Sequence, residues 1–180
     1  MELAELSERR SNGQERITPL GYRTARRALP RVLAALPETD HRRIAAELVG
    51  NSVERIGAVK GASLEGTDSK GGQSDGGATT RSKHAARLHL VEAVANGWTV
   101  DTATGRIRRG PERVVFEVQR RIGERQEINA FPLLLAVCVH GRDLQDILRA
   151  HGWSVQSKYT RALGQNVLDM LDRVSVRLGG

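Results

Sequence analysis

The last fifty residues contain three blocks in which apolar side chains recur at steps of three and four residues. The first is the run FPLLLAVCV, which stops before Gly141, and the second is residues 142–151, which stop at Gly152. The third begins after Ser154, a suitable helix cap, and keeps one apolar stripe almost to the end of the chain. Such steps place apolar side chains on one face of a helix, so the pattern predicts a compact unit of three helices.

Helical patterns also occupy the first part of the chain. Pro30 suits the first turn of a short helix, and Thr39 and Asp40 can cap a longer helix that runs to about Val59. These features predict a small helical unit over residues 1–59.

The middle of the chain is less regular. A threonine pair at 79–80 can cap a helix that Gly97 ends, and the segment WTVDTATGRIRR then predicts a short hairpin or loop. Pro111 can open a further helix that Gly123 ends, and a helix is the prediction for this segment. Apolar residues also alternate there, which equally suits a strand, so both interpretations stay open.

Residues 60–80 contain six glycines, several Ser, Thr and Asp residues, and almost no large apolar side chain. Such a segment buries too little surface to offset its ordering entropy, which predicts a flexible linker. A phosphate-binding loop is the alternative, but the order of Gly, Lys and Ser or Thr that it needs is missing. The chain is therefore expected to divide into residues 1–59, the linker, and a helical domain over residues 81–180.

Composition supports a mainly α fold and a polyanionic partner. Hydrophobic residues make up 39% of the chain and aromatic residues only 3%, so the core must consist of Leu, Val, Ile and Ala. Such a core favours helix packing over a sheet sandwich. The net charge of +7 makes a nucleic acid the obvious partner, although an Arg-rich composition also fits a GC-rich genome.

The three C-terminal blocks have the parts of a helix-turn-helix at residues 130–178. This motif needs a supporting helix, a second helix across the DNA backbone, a tight turn, and a recognition helix whose first residues meet base edges. Gly152 lies at the turn, and polar side chains begin the third helix opposite its apolar stripe. Gln and Arg can bond base edges, while Ser, Thr and Lys can bond bases or phosphates. The predicted base-reading residues are Gln156, Ser157, Lys158, Thr160, Arg161 and Gln165.

The register of this motif is unusual. Counted from Gly152, the positions where such helices bury an apolar side chain hold Lys158 and Arg161, so the recognition helix must begin one residue later than usual. An ordinary helical hairpin with a solvated polar face has the same sequence pattern and is the alternative interpretation.

Basic charge is concentrated upstream of the motif. Residues 81–121 carry nine Lys and Arg residues against four acids, while residues 122–180 carry seven against six. Phosphate contacts supply affinity and base contacts supply sequence specificity. We therefore expect these basic residues to form a phosphate-binding platform. A solvated basic face is the alternative. The predicted phosphate-binding residues are Arg81, Lys83, Arg87, Arg106, Arg108, Arg109, Arg113 and Arg142.

Enzyme chemistry finds little support in the sequence. The five histidines have no metal-ligand spacing and no nucleophile elbow occurs, so no catalytic residue, metal or cofactor is predicted. Cys138 lies inside an apolar run, where a buried structural thiol is expected. No signal peptide or membrane span is evident, so a cytoplasmic, nucleoid-associated protein is expected.

The segment LLLAVCVHGRDLQDILRAHGWSVQSKYTRALGQNVLDMLDRV resembles a small alphaproteobacterial domain found in prophage regulators and in activators of gene transfer agent clusters. This resemblance covers about the last quarter of the chain, and Ser154 replaces the proline that usually follows the Gly-Trp pair. It implies a helix-turn-helix role in DNA binding. The residues that carry it are Leu134, Val137, Cys138, Leu144, Gly152, Trp153, Ser157, Ala162 and Leu163.

The sequence therefore predicts a transcription regulator that binds specific sites in double-stranded DNA and activates phage or phage-derived genes together with RNA polymerase or a sigma factor. Two alternatives stay open. A small phage packaging subunit of the terminase kind would form a ring of large mass, and an antitermination adaptor would bind polymerase without sequence-specific DNA affinity. A homodimer is possible because helix-turn-helix proteins often dimerise, although no heptad seam is evident.

Overall fold

The computed structural model describes residues 2–9, 15–23, 29–62, 76–101, 103–118 and 124–179. Most of these residues are helical, so the predicted mainly α fold class is confirmed. The helices are α1 (Arg31–Ala34), α2 (His41–Ala62), α3 (Gly76–Asn96), α4 (Ala130–Cys138), α5 (Leu144–Ala150) and α6 (Ser157–Gly179). The strands are β1 (Glu2–Arg9), β2 (Glu15–Arg23), β3 (Thr99–Val100), β4 (Ile107–Arg108), β5 (Val114–Phe116) and β6 (Ile128–Asn129).

The strands form two-stranded antiparallel sheets that pair β1 with β2, β3 with β4, and β5 with β6. The first pair corrects the prediction of a small helical unit over residues 1–59, because residues 2–9 and 15–23 are extended. Pro19 and Gly21 explain the difference for β2, since these two residue types are the least suited to a helix interior. The helical prediction is confirmed for α1 and α2.

The start of α2 is fixed by Asp40, as the sequence predicts. Its carboxylate accepts a hydrogen bond from the backbone N–H of Arg42 at 2.9 Å, and its carbonyl accepts one from Ile44 at 3.0 Å. The Arg42 guanidinium also donates to this carboxylate at 2.7 Å. These bonds, the side-chain bond from Arg42 above all, hold the pKa of Asp40 well below its usual range.

The two ends of the predicted linker are helical. Helix α2 continues to Ala62 and α3 begins at Gly76, so the prediction of an irregular linker is wrong for residues 60–62 and 76–80. The threonine pair at 79–80 lies inside α3 rather than before it. Residues 63–75, the centre of the predicted linker, lie outside the described residues.

One hydrophobic core joins the helices on both sides of residues 63–75. Leu33 of α1 and Val49 of α2 are buried in the same cluster as Val91 of α3, Leu134 of α4 and Leu171 of α6. Polar contacts follow the same packing, because the His84 ring on α3 lies 3.3 Å from the Ser52 hydroxyl on α2. The segment expected to separate two units is therefore not a boundary of the core.

The predicted hairpin after α3 is present as β3 and β4. Its turn is organised by Asp101, whose carboxylate accepts hydrogen bonds from the Ala103 N–H at 2.9 Å and the Thr104 hydroxyl at 2.5 Å. These bonds lower the pKa of Asp101. Gly105 closes the turn with a φ of +68°, a conformation that favours glycine.

The prediction of a helix after Pro111 is wrong. Residues 114–116 form β5, as the alternative interpretation expected, and pair with β6. The carbonyl of Arg113 accepts a hydrogen bond from the Ala130 N–H at 2.8 Å. Because these backbone groups bond to a segment more than ten residues away, a helix cannot form here. Residues 119–123, the end of the predicted helix, lie outside the described residues.

Candidate nucleic-acid interface

The turn between α5 and α6 requires glycine at position 152 for two reasons. Gly152 has a φ of +70°, where a residue with a Cβ is strained. A Cβ atom added to Gly152 would also lie 2.7 Å from the carbonyl oxygen of Glu124 and 3.0 Å from its carbon. The chain before β6 therefore packs directly against the backbone of the turn.

Hydrogen bonds hold this contact on both sides of Gly152. The backbone N–H of Gln126 donates to the carbonyl of His151 at 3.0 Å. In return, the indole N–H of Trp153 donates to the carbonyl of Gln126 at 2.8 Å. The three bonding positions 126, 151 and 153 fix the direction in which the chain leaves α5.

Three aromatic rings seat the first turn of α6. The Trp153 ring lies 5.1 Å from the ring of Phe116 and 5.5 Å from that of Tyr159, and Phe116 and Tyr159 are 6.1 Å apart. All three pairs pack edge to face, an arrangement that the charge distribution of aromatic rings favours. Strand β5, the turn and α6 therefore meet at one cluster, which positions α6 against the sheet.

Helix α6 begins at Ser157, three residues after the predicted cap Ser154. The carbonyl of Gln156 accepts hydrogen bonds from the N–H groups of Tyr159 and Thr160, each at 3.0 Å. Gln156 therefore starts the helical bonding, and its own N–H donates to the Ser154 carbonyl at 2.9 Å, which closes a tight turn before the helix.

The polar start of α6 faces solvent. Its opposite face is buried through Leu163 and Val167. The Thr160 hydroxyl donates to the Gln156 carbonyl at 3.2 Å, and the Gln165 amide donates to Asp169 at 2.8 Å. Of the six predicted base-reading residues, Thr160 is half-buried and the others are exposed, namely Gln156, Ser157, Lys158, Arg161 and Gln165.

The first half of α6 carries a net positive charge. Its first turn contains no acidic residue, while Lys158 and Arg161 carry positive charge there. In the second half of the helix, Asp169 and Asp172 are balanced by Arg173 and Arg177. The positive end of the helix dipole adds to the positive charge of the start, so the first half of α6 is the end suited to an anionic partner.

The predicted phosphate-binding residues fall into three places. Arg81, Lys83 and Arg87 lie on the first half of α3, and Arg106, Arg108 and Arg109 lie on or beside the β3–β4 hairpin. A groove of about 390 Å³ lies between α3 and the hairpin, and it is lined by Arg109 and by Ala86, His89 and Glu92 of α3 rather than by the three basic residues of that helix. Arg142 lies apart from them, in the connection between α4 and α5. Within this set Arg87 and Arg113 are half-buried, while the others are exposed.

Arg113 links the hairpin region to α6. Its backbone N–H donates to the buried Asn96 side chain at 3.1 Å, and its guanidinium donates to the Asn166 side chain at 3.4 Å. Burial lowers the pKa of Arg173 on α6, and the nearby charge of Arg113 lowers it further. Part of the predicted platform is therefore in contact with α6.

No protein-family model, curated protein or solved structure matches this chain. The resemblance of its last quarter to the alphaproteobacterial domain therefore stays a prediction. Its function is inferred below from the arrangement of its own side chains.

Metal and thiol chemistry can be judged only from the described residues. No three His, Cys, Asp or Glu side chains of the described residues group closely enough to hold a metal ion. Burial raises the pKa of the Cys138 thiol to about 12, which keeps this sulfur protonated at neutral pH. Among the described helices, none has the length and apolarity to cross a membrane.

Sequence reasoning missed the cluster that seats α6. The segment that contains Phe116 is predicted as a helix, with a strand as the alternative. The alternation of Val114 and Phe116 was the available signal for β5, but no local pattern places Phe116 beside Trp153, thirty-seven positions later.

Proposed function

We propose that the protein binds specific sites in double-stranded DNA through α5, the turn and α6, which act as a helix-turn-helix, and that it regulates transcription. The observation that carries the proposal is the exposure of Gln156, Lys158 and Arg161 at the start of a helix whose opposite face is buried. Activation of phage or phage-derived genes with RNA polymerase or a sigma factor rests on the sequence resemblance.

Rigid seating of α6 supports this proposal. Base recognition needs side chains held in place, because a bidentate bond to a base edge depends on position and direction. The glycine contact at 152 and the aromatic cluster restrain the turn and the first residues of α6. Lys158 and Arg161 offer the donors that guanine and phosphate accept.

The basic hairpin supplies the second part of the proposed contact. Arg106, Arg108 and Arg109 are exposed around β4, and the Arg109 guanidinium lies 5.9 Å from the centre of the Trp98 ring. In this proposal these side chains grip phosphates while α6 reads bases, since phosphate contacts position a protein without selecting a sequence.

Base reading by α6 predicts a loss that depends on sequence. Duplexes that the full-length protein selects from a random pool give a cognate site. We expect Arg161→Ala or Gln156→Ala to weaken binding to this site by about 1 to 3 kcal/mol, the value of a bidentate base contact, and to affect scrambled DNA far less. Titration of labelled duplexes measures both affinities.

Arg177→Ala is the matched control, because it removes the same charge from the far end of α6, where Arg177 is exposed. We expect this control to behave like the wild type on both duplexes. Equal losses for Arg161→Ala on cognate and scrambled DNA would contradict base reading, and selection of no preferred sequence would contradict specific binding.

Phosphate binding by the hairpin predicts a loss that depends on salt. We expect Arg108→Ala or Arg109→Ala to weaken binding to cognate and scrambled duplexes alike, and to reduce the slope of log affinity against log salt by about 0.9 for each lost phosphate contact. Arg55→Ala, an exposed charge on α2, is the control that should leave the slope unchanged. An unchanged slope in both hairpin variants would contradict phosphate binding by the hairpin.

A further inference from the structure

Two cations lie on neighbouring aromatic rings beside the start of α6. The Arg125 guanidinium carbon is 5.1 Å from the centre of the Trp153 ring, and the Lys158 ammonium nitrogen is 4.7 Å from that of Tyr159. The two rings are themselves in contact, with centres 5.5 Å apart. One continuous aromatic surface therefore carries a charge from α6 and a charge from the segment before β6.

The Arg125 backbone is fixed on both sides. Glu124 packs its carbonyl against Gly152, and Gln126 bonds to both His151 and Trp153. Arg125 lies between these two anchored residues, so its side chain starts from a defined point next to the turn. Folding has already ordered the backbone of Arg125, so the conformational entropy of this segment is not lost again when a ligand binds.

Neither cation is neutralised by an acid in the described part of the chain, where no carboxylate oxygen lies within 4.0 Å of the side-chain nitrogens of Arg125 or Lys158. Arg149 on α5 is different, since its guanidinium lies 2.7 Å from Asp146. An aromatic ring binds a cation through its electron-rich face and accepts none of the in-plane hydrogen bonds of a guanidinium. Those donors are the groups that bind phosphate oxygens in pairs.

We propose that Arg125 is a further DNA-binding residue, which grips a backbone phosphate beside Lys158 at the edge of the groove that α6 enters. Trp153 acts as its positioning residue, because its ring supports the guanidinium and its indole N–H anchors the neighbouring Gln126. This inference rests on the proposed function, and it adds a contact from outside the three C-terminal helices.

The salt dependence of DNA affinity tests this role of Arg125. The full-length protein is titrated with a duplex of scrambled sequence over a range of salt concentrations, as wild type, Arg125→Gln, Arg125→Lys and Arg177→Ala. We expect Arg125→Gln to reduce the slope of log affinity against log salt by about 0.9. Arg125→Lys should retain most of the wild-type slope because it keeps the charge, and Arg177→Ala should retain all of it.

Glutamine keeps part of the aliphatic stem of Arg125, and circular dichroism at aromatic wavelengths reports whether the packing of Trp153 survives in each variant. A wild-type slope in a folded Arg125→Gln variant would overturn this inference and leave the proposed function intact. A reduced slope in both Arg125→Gln and Arg125→Lys, with the aromatic signal lost, would overturn it too, since the side chain would then act through packing. Absence of duplex binding by the wild type at low salt would overturn the inference and the proposed function together.

Discussion

Replacing Gly152 with alanine is expected to lower the free energy of unfolding by about 2 to 5 kcal/mol. Two costs add in this substitution. A left-handed backbone strains a residue that has a Cβ by about 1 to 2 kcal/mol, and φ at this position is +70°. The added methyl group would also lie 2.7 Å from the Glu124 carbonyl oxygen, and overpacking of this kind costs about 1 to 3 kcal/mol. Urea unfolding followed by circular dichroism measures the sum.

Gly105→Ala separates the two costs. Gly105 has nearly the same φ, +68°, but among the described residues beyond its two chain neighbours no heavy atom lies within 4 Å of the position that its Cβ would take. This control should therefore lose only the backbone contribution of about 1 to 2 kcal/mol. Equal losses in the two variants would contradict the close approach of Glu124 to the turn, and with it the seating of α6.

Replacing Leu33 with alanine is expected to cost about 2 to 5 kcal/mol, the range for a large apolar side chain removed from a packed core. Leu33 lies in the four-residue helix α1, yet only 1% of it is exposed, and it belongs to the core that contains Leu134 and Leu171. Since the helices on both sides of residues 63–75 share this core, helices α1 to α6 should unfold in one transition at a lower denaturant concentration. Calorimetry and circular dichroism should give the same midpoint.

Ile44→Ala is the control for the Leu33 prediction. Ile44 lies on α2 with 46% of its surface exposed, so its loss should change stability by no more than about 0.5 kcal/mol. Two separate unfolding transitions, with only one of them shifted by Leu33→Ala, would contradict a shared core.

Helices α2, α4, α5 and α6 were predictable because their signals are local. A capping residue such as Asp40 and an apolar side chain at every third or fourth position act within a few turns of the same helix. Strand β5 was not predictable in this way, because the residues that fix it are distant. Phe116 is buried against Trp153, and β6 supplies the hydrogen bonds to β5.

The packing between helices could not be predicted from the sequence either. The apolar stripe of α2 indicates which face is covered, but nothing in the stripe says that α6 covers part of it. A low content of apolar residues in residues 60–80 suggested two units, although the helices that flank this segment pack together. Composition indicates whether a segment can form a core of its own. Whether the helices on either side of that segment pack together depends on the surfaces of those helices.

The candidate interface was predictable to the extent that it follows a helical period. Five of the six polar residues predicted at the start of α6 are exposed because they lie opposite the buried stripe. Arg125 could not be found in this way. Its position depends on the absence of a side chain at Gly152, which lets the Glu124 backbone approach the turn.

The central claim is that the start of α6 lies in a DNA groove, and site-directed DNA cleavage tests it most directly. Because burial raises the pKa of Cys138 to about 12, this thiol should react with a labelling reagent at neutral pH far more slowly than an exposed cysteine. An iron chelate that cuts nearby DNA can therefore be attached through Ser157→Cys at the start of α6, or through Arg177→Cys at its far end. We expect the label at position 157 to cut within the selected site, with the strand offset of a major-groove probe, and the label at 177 to cut weakly or not at all. Cleavage from position 177 alone, or equal and diffuse cleavage from both positions, would contradict the claim.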